Sequence, residues 1–172
     1  MKTIEYKYVD KADWERGEWD GEPDKIQFQD EKTGMPCLIV RGPSGALCGY
    51  VGVNPGHPFY EQEYDGCRLK NDDDEYIDVH GGLTFSGFCH ENADNHGICH
   101  LPDEGEEKKV WWLGFDCAHS GDYCPAHSRY GREFRRHEFE SYKALGYVRH
   151  QVRKLAAQIA NPELCETQHH PY

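Results

Sequence analysis

Apolar residues are scarce in this chain and never run long. They make up 37% of its 172 residues, and the mean hydropathy is -0.89. No run approaches the roughly 18 apolar residues that span a bilayer, so no membrane partner is expected. The stretch MKTIEYKYVDKADWERGEWD also lacks the apolar core of a secretory signal, which makes the reducing cytoplasm the expected compartment. Positive charge is short as well. Nineteen Lys and Arg stand against 31 Asp and Glu, a formal net charge of -12, and that balance argues against sequence-independent binding to DNA. Walker A, GxGxxG, HExxH and GxSxG patterns are missing, and no HxE precedes a PCxxC. The common motif-bearing enzyme classes are thereby excluded.

Aromatic residues and cysteines are plentiful. Eleven Tyr, seven Phe and four Trp are expected to carry much of the packing of a single domain over residues 1–172. Eight cysteines in a reducing compartment are expected to be free thiols or metal ligands rather than disulfides.

Periodicity predicts an α+β fold, mainly an antiparallel sheet of short strands with one long C-terminal helix packed on it. IEYKYV reads as an edge strand, and DKADWERGEWDGEPD as loop. IQFQ, PCLIV and ALCGYVGV, separated by EKTG and GPSG, form a meander. NPGHPFYEQEYDGCRLKNDDDE is a long loop ending in an acidic run, which lacks the alternation of a calcium loop. YIDVHGGLTFSGFC reads as one or two strands interrupted by Gly81-Gly82, followed by a Cys/His-rich excursion over about 89–109. VWWLGFD is a buried strand. Leu145, Val148, Val152, Leu155 and Ile159 make one apolar stripe, so a helix is predicted over about 141–160, with Ser141 as its N-cap and Asn161-Pro162 as its stop.

Two stretches carry the chemistry. His80-Gly81-Gly82 and Asp116-x-x-His119-x-x-Asp122 both fall where a predicted strand ends, a place where a rigid sheet can hold reactive side chains. His80, Asp116, His119 and Asp122 are the candidate catalytic residues. The same four form a mixed nitrogen and oxygen set suited to a divalent ion, Zn²⁺ or Mn²⁺, that would generate hydroxide near neutral pH. Gly81 and Gly82 would let backbone amides approach an anion. Between Ser128 and Lys154 eight basic residues meet three acidic ones, a local balance of +5 against -17 for the remainder. Arg129 and Arg132 of that segment are the candidate phosphate contacts.

The cysteines offer rival readings. A structural zinc could draw on Cys89, Cys99, His100, Cys117, Cys124 and His127, with His90 and His96 in the same excursion, although the spacings match no standard finger. Cys117 could instead be a nucleophile with His80 or His119 as its base.

GALCGYVGVNPGHPFY, YIDVHGGLTFSG and WWLGFDCAHSGD, followed by a closing helix, resemble a set of small bacteriophage and prophage proteins. Those proteins carry a GYVGV...GHP hairpin, an HGGLT stretch and a GFDCAH-x-GD stretch in this order. The resemblance spans roughly Gly45 to Ile159. It implies a viral protein working in the cytoplasm of an infected bacterium, a setting rather than an activity. By analogy, small phage proteins of this kind serve host takeover or anti-defence, where a nucleotide signal is a common target. The expectation is a metal-dependent hydrolase of a small phosphate-bearing ligand. The alternatives are a nucleotide-binding sponge without chemistry and an acidic inhibitor of a host protein.

Overall fold

The computed structural model describes residues 1–70, 76–89 and 97–168. The acidic run at 72–74, together with His90 and His96, lies outside the described residues. The molecule is α+β. Strands β1 (Ile4–Tyr6), β2 (Lys25–Gln29), β3 (Pro36–Arg41) and β4 (Leu47–Val53) form the expected meander. β5 (Cys67–Leu69) leaves the main sheet. β6 (Phe85–Phe88) and β7 (Trp111–Asp116) return to it, and α1 (Leu145–Ile159) and β8 (Cys165–Thr167) close the chain. The six-stranded sheet is antiparallel throughout, in the order β1-β2-β3-β4-β7-β6, and β5 pairs with β8 in a separate ribbon.

Alternation along the strands assigns the two faces. Ile26, Ile39, Val51, Leu113 and Phe115 pack with Val148, Val152, Leu155 and Ile159 of α1, while Leu38, Val40, Tyr50 and Trp112 point to the opposite face. The helix comes close to the sheet because Gly49 has no side chain. A Cβ there would strike Phe115 and Val152. Ile98 and the mutual hydrogen bonds of Gln27 with Leu101 bring part of the excursion over the far face. No helix among the described residues is long and apolar enough to cross a membrane.

Two local expectations, the helix cap and the state of the cysteines, need correction, and two others hold with added detail. The stretch 10–24 is a loop with one short 3-10 turn at Glu18–Asp20. Its Trp14 and Trp19 are buried with Tyr123 and Tyr142 in a second core. Asp24 beneath it joins buried Arg41 at 2.7 Å. Ser141 does not cap the helix, because its own backbone pairs with Gly121 and Tyr123. The helix begins at Leu145, whose N–H donates to the Glu22 carboxylate from the N-terminal segment at 2.5 Å. A remote carboxylate thus takes over the capping role. Of the one or two strands expected between Tyr76 and Cys89, one forms. Ile77 and Val79 are buried and alternate with Asp78 and His80, yet no strand among the described residues pairs with them. Finally, Cys89 and Cys99 are joined as a disulfide, whereas six other cysteines are free.

Candidate functional site

The side chains of α1 do what a neighbouring strand would otherwise do for residues 78–80. Gln158 accepts from the Asp78 N–H at 2.8 Å and donates back to the Asp78 carbonyl at 2.8 Å. About two helical turns earlier, Gln151 accepts from the His80 N–H at 3.0 Å. Tyr147, four residues before Gln151, meets His80 Nδ1 through its hydroxyl at 2.8 Å. Positions 147, 151 and 158 lie along one flank of the apolar stripe, so a single ridge of the helix fixes both the backbone and the imidazole of His80.

The second stretch arrives from β7. Beyond Asp116 the chain turns through Gly121, whose φ is +88°. It is then clamped from behind, since Tyr123 donates its N–H to Ser141 and Ser141 donates to Gly121. Trp19 lies 5.4 Å from the Tyr123 ring and 5.0 Å from the Tyr142 ring. This packing holds Asp122, whose side chain is only 4% exposed, against His80 Nε2 at 2.7 Å. The same carboxylate oxygen accepts the His119 N–H at 3.0 Å, and its twin lies 3.5 Å from Lys143 Nζ.

The four candidate residues therefore gather in one place, but not as a single cage. Asp122 and His80 are engaged with each other, so Asp122 fixes the tautomer: Nε2 donates to the carboxylate and Nδ1 accepts from Tyr147. His119 stands beside them, its ring 5.8 Å from that of His80. Its Nε2 is 3.4 Å from Asp116 Oδ1. Asp116 is oriented by Thr84 at 3.0 Å and by the Ala118 N–H at 3.0 Å. Among the described residues no group of three or more His, Cys, Asp or Glu side chains is placed to hold a metal ion.

Exposure is graded along the hydrogen-bonded chain. Asp122 is buried, His80 is 15% exposed, and Tyr147 is 39% exposed. A proton can move outward along it. Burial, followed by the nearby Cys117 and Asp122, pushes the Tyr147 phenol above its ordinary range, so at neutral pH it is a hydroxyl donor and not a phenolate.

The glycine and arginine expectations fare differently. Gly81 and Gly82 both have positive φ, at +67° and +77°. Gly81 is required by its neighbour, because a Cβ would collide with the His119 imidazole. Gly82 already donates its N–H to Val79 within the turn, which leaves a narrower anion cradle than the sequence suggested. Arg129 is turned to its own loop, where it donates to the Ala126 carbonyl and lies over Trp14 and Tyr130. Arg132 is exposed in the short 3-10 turn Arg132–Phe134. The cation that does stand at the site is Lys143.

The rival zinc set is dispersed. Cys89 and Cys99 are bonded to each other, and His100 packs its ring 5.2 Å from that of Trp112. His127 is exposed, while Cys117 is in the main core. Burial, reinforced by Asp122, raises the Cys117 thiol far above its ordinary range, which opposes the nucleophile reading. Sequence reasoning missed Tyr147, Lys143 and Gln151. The available signal was polar Gln151 inside an apolar stripe, with Tyr147 and Lys143 spaced four and eight residues before it.

No protein-family model, curated protein or solved structure matches the chain.

Proposed function

We propose that this protein hydrolyses a small phosphate-bearing molecule, a nucleotide signal being the intended class, in the service of phage host takeover or counter-defence. The observation that carries the reading is the unbroken line Asp122, His80, Tyr147, running from a buried carboxylate to a half-exposed hydroxyl. A water hydrogen-bonded to Tyr147 gives its proton to the phenol oxygen as the phenol passes its own to His80 Nδ1. The imidazolium so formed is stabilised by Asp122, and the hydroxide attacks phosphorus. Reversal of the relay returns the proton to the departing alkoxide. Lys143 supplies positive charge beside the developing negative charge.

The test is hydrolysis of cyclic and linear mononucleotides and of an aryl phosphate ester by the purified chain and by His80→Gln. The reading expects turnover that the variant lowers by about two orders of magnitude or more. No turnover of any ester, or equal turnover by the variant, overturns it. A second reading, capture of the ligand without chemistry, draws on exposed Tyr130, Phe134 and Phe139, whose rings pair with one another, with Arg129 and with His137 at the surface and would have to present a remaining face to a base. Intact nucleotide recovered after denaturing a stable complex would select it.

A further inference from the structure

We propose that His119 and Asp116 form the protein's anchor for one divalent cation, with the remaining coordination positions filled by water or by substrate oxygen. His80 and Asp122 serve the proton relay and stay outside the coordination sphere. The proposal deepens the hydrolase reading. It rests on that reading for the ion's use, but not for its binding.

Three observations converge on the pair. First, His119 Nε2 is shielded from solvent and has no hydrogen-bond partner. An imidazole nitrogen left in that condition is costly unless something else occupies its lone pair. Second, its distance from Asp116 Oδ1 is 3.4 Å. This is long for a hydrogen bond, whose usual upper limit is about 3.2 Å. Two donors bound at about 2.0–2.1 Å to a tetrahedral ion stand about 3.3 Å apart, so the gap has the width of a metal bite. Third, both partners are held in place. Thr84 and the Ala118 N–H orient the carboxylate, and Gly81 leaves room for the imidazole ring. Outer contacts of this kind are what set a ligand's direction.

The chemistry of the pair suggests the ion. One imidazole and one carboxylate suit Mn²⁺ or Zn²⁺, and sites with only one or two protein donors commonly complete their sphere with water and substrate phosphate. Asp116 is 34% exposed, which keeps that side open to a ligand. Once bound, the ion would polarise a water or a phosphoryl oxygen next to the relay. His80 and Asp122 could join the sphere only by giving up their mutual bond at 2.7 Å, which is why they are excluded.

Mn²⁺ is the probe of choice, because the six free thiols would compete for Zn²⁺. Loss of the free-ion electron paramagnetic resonance signal on titration into the full chain counts bound Mn²⁺. One ion per chain is expected, with affinity lowered at least about tenfold in His119→Ala and in the nearly isosteric Asp116→Asn. His80→Gln should bind Mn²⁺ as the native chain does, within about twofold. Absence of binding overturns the proposal, as does equal weakening by His80→Gln or full binding by His119→Ala. The two readings fail separately. Mn²⁺ bound at His119 without hydrolysis of any ester keeps the anchor and removes the enzyme. Hydrolysis indifferent to chelation, with no ion bound, does the reverse.

Discussion

Asp122 and His80 meet at 2.7 Å although 42 positions separate them in the chain. They come from different elements, one from the turn after β7 and the other from a segment fastened to α1. What joins them is the packing of α1 across the sheet, so the site depends on the whole fold and not on a local motif. Asp122→Asn tests that dependence. The amide keeps the size of the carboxylate, but it is uncharged and puts an NH2 donor where one of the two acceptor oxygens stood, against either the His80 and His119 donors or Lys143. Hydrolysis should fall by about 10²–10⁴, and stability in urea by about 1–3 kcal/mol from the lost buried acceptor. Activity within twofold of native would remove Asp122 from the relay.

Gly81 and Gly82 make a matched pair for separating sterics from backbone strain. Both sit at positive φ, so alanine at either position carries the cost of a left-handed residue, about 1–2 kcal/mol. Only at Gly81 would the new methyl also collide with the His119 ring, while nothing lies within 4 Å of a Cβ at Gly82. Denaturant unfolding should therefore rank Gly81→Ala below Gly82→Ala in stability by about a further 1–2 kcal/mol. Equal losses would show that His119 is not seated on Gly81.

The strands and the helix were readable because their signals are local: alternation at two residues and a stripe at 3.6. Contacts made across long stretches of sequence were not. β5 and β8 are three residues each, too short to carry a periodic signature, and they lie far apart in the chain. Trp14 and Trp19 sit in a polar, glycine-bearing segment, and it takes remote partners such as Tyr123, Ala126 and Tyr142 to bury them. The same division holds at the site. His80, Asp116, His119 and Asp122 stood out as reactive residues at strand ends. Tyr147 and Gln151 were hidden because a helix reads first by its apolar positions, and their function depends on which flank of the stripe faces residues 78–80. Charge density pointed to Arg129, but the Ala126 carbonyl and the Tyr130 ring of its own loop, with Trp14 of the N-terminal segment, hold it away from the site.

Alkaline pH should weaken the fold in a defined window. Burial raises the thiols of Cys48 and Cys165 from 9.0 to about 11, and that of Cys67 to about 12. A group whose folded pKa lies above its unfolded one holds its proton more tightly when folded. The stability it contributes is complete below about pH 9 and is lost as pH rises through about 11. Melting temperatures should be level on this account from pH 7 to 8.5 and fall steadily above pH 9. Cys165→Ala should make that fall shallower; an unchanged slope would assign the loss to the buried tyrosines instead.

Tyr147→Phe is the sharpest test of the relay, because it removes one oxygen at a partly exposed position. The ring keeps its edge-on packing against His80, 5.5 Å away, and its place near Lys143 Nζ at 5.6 Å. Stability should change by less than about 1 kcal/mol, since the lost hydrogen bond is near solvent. Turnover should nevertheless fall by about tenfold to a hundredfold with little change in KM, because the missing hydroxyl is the link between bulk water and His80 Nδ1. Gln151→Met probes the same residue through its backbone: it leaves the His80 backbone N–H without its acceptor while preserving helix packing, and should lower turnover with the pH dependence of the native chain retained. If phenylalanine at 147 leaves turnover intact, the proton reaches His80 by a route that bypasses the helix, and Tyr147 is reduced to a packing residue.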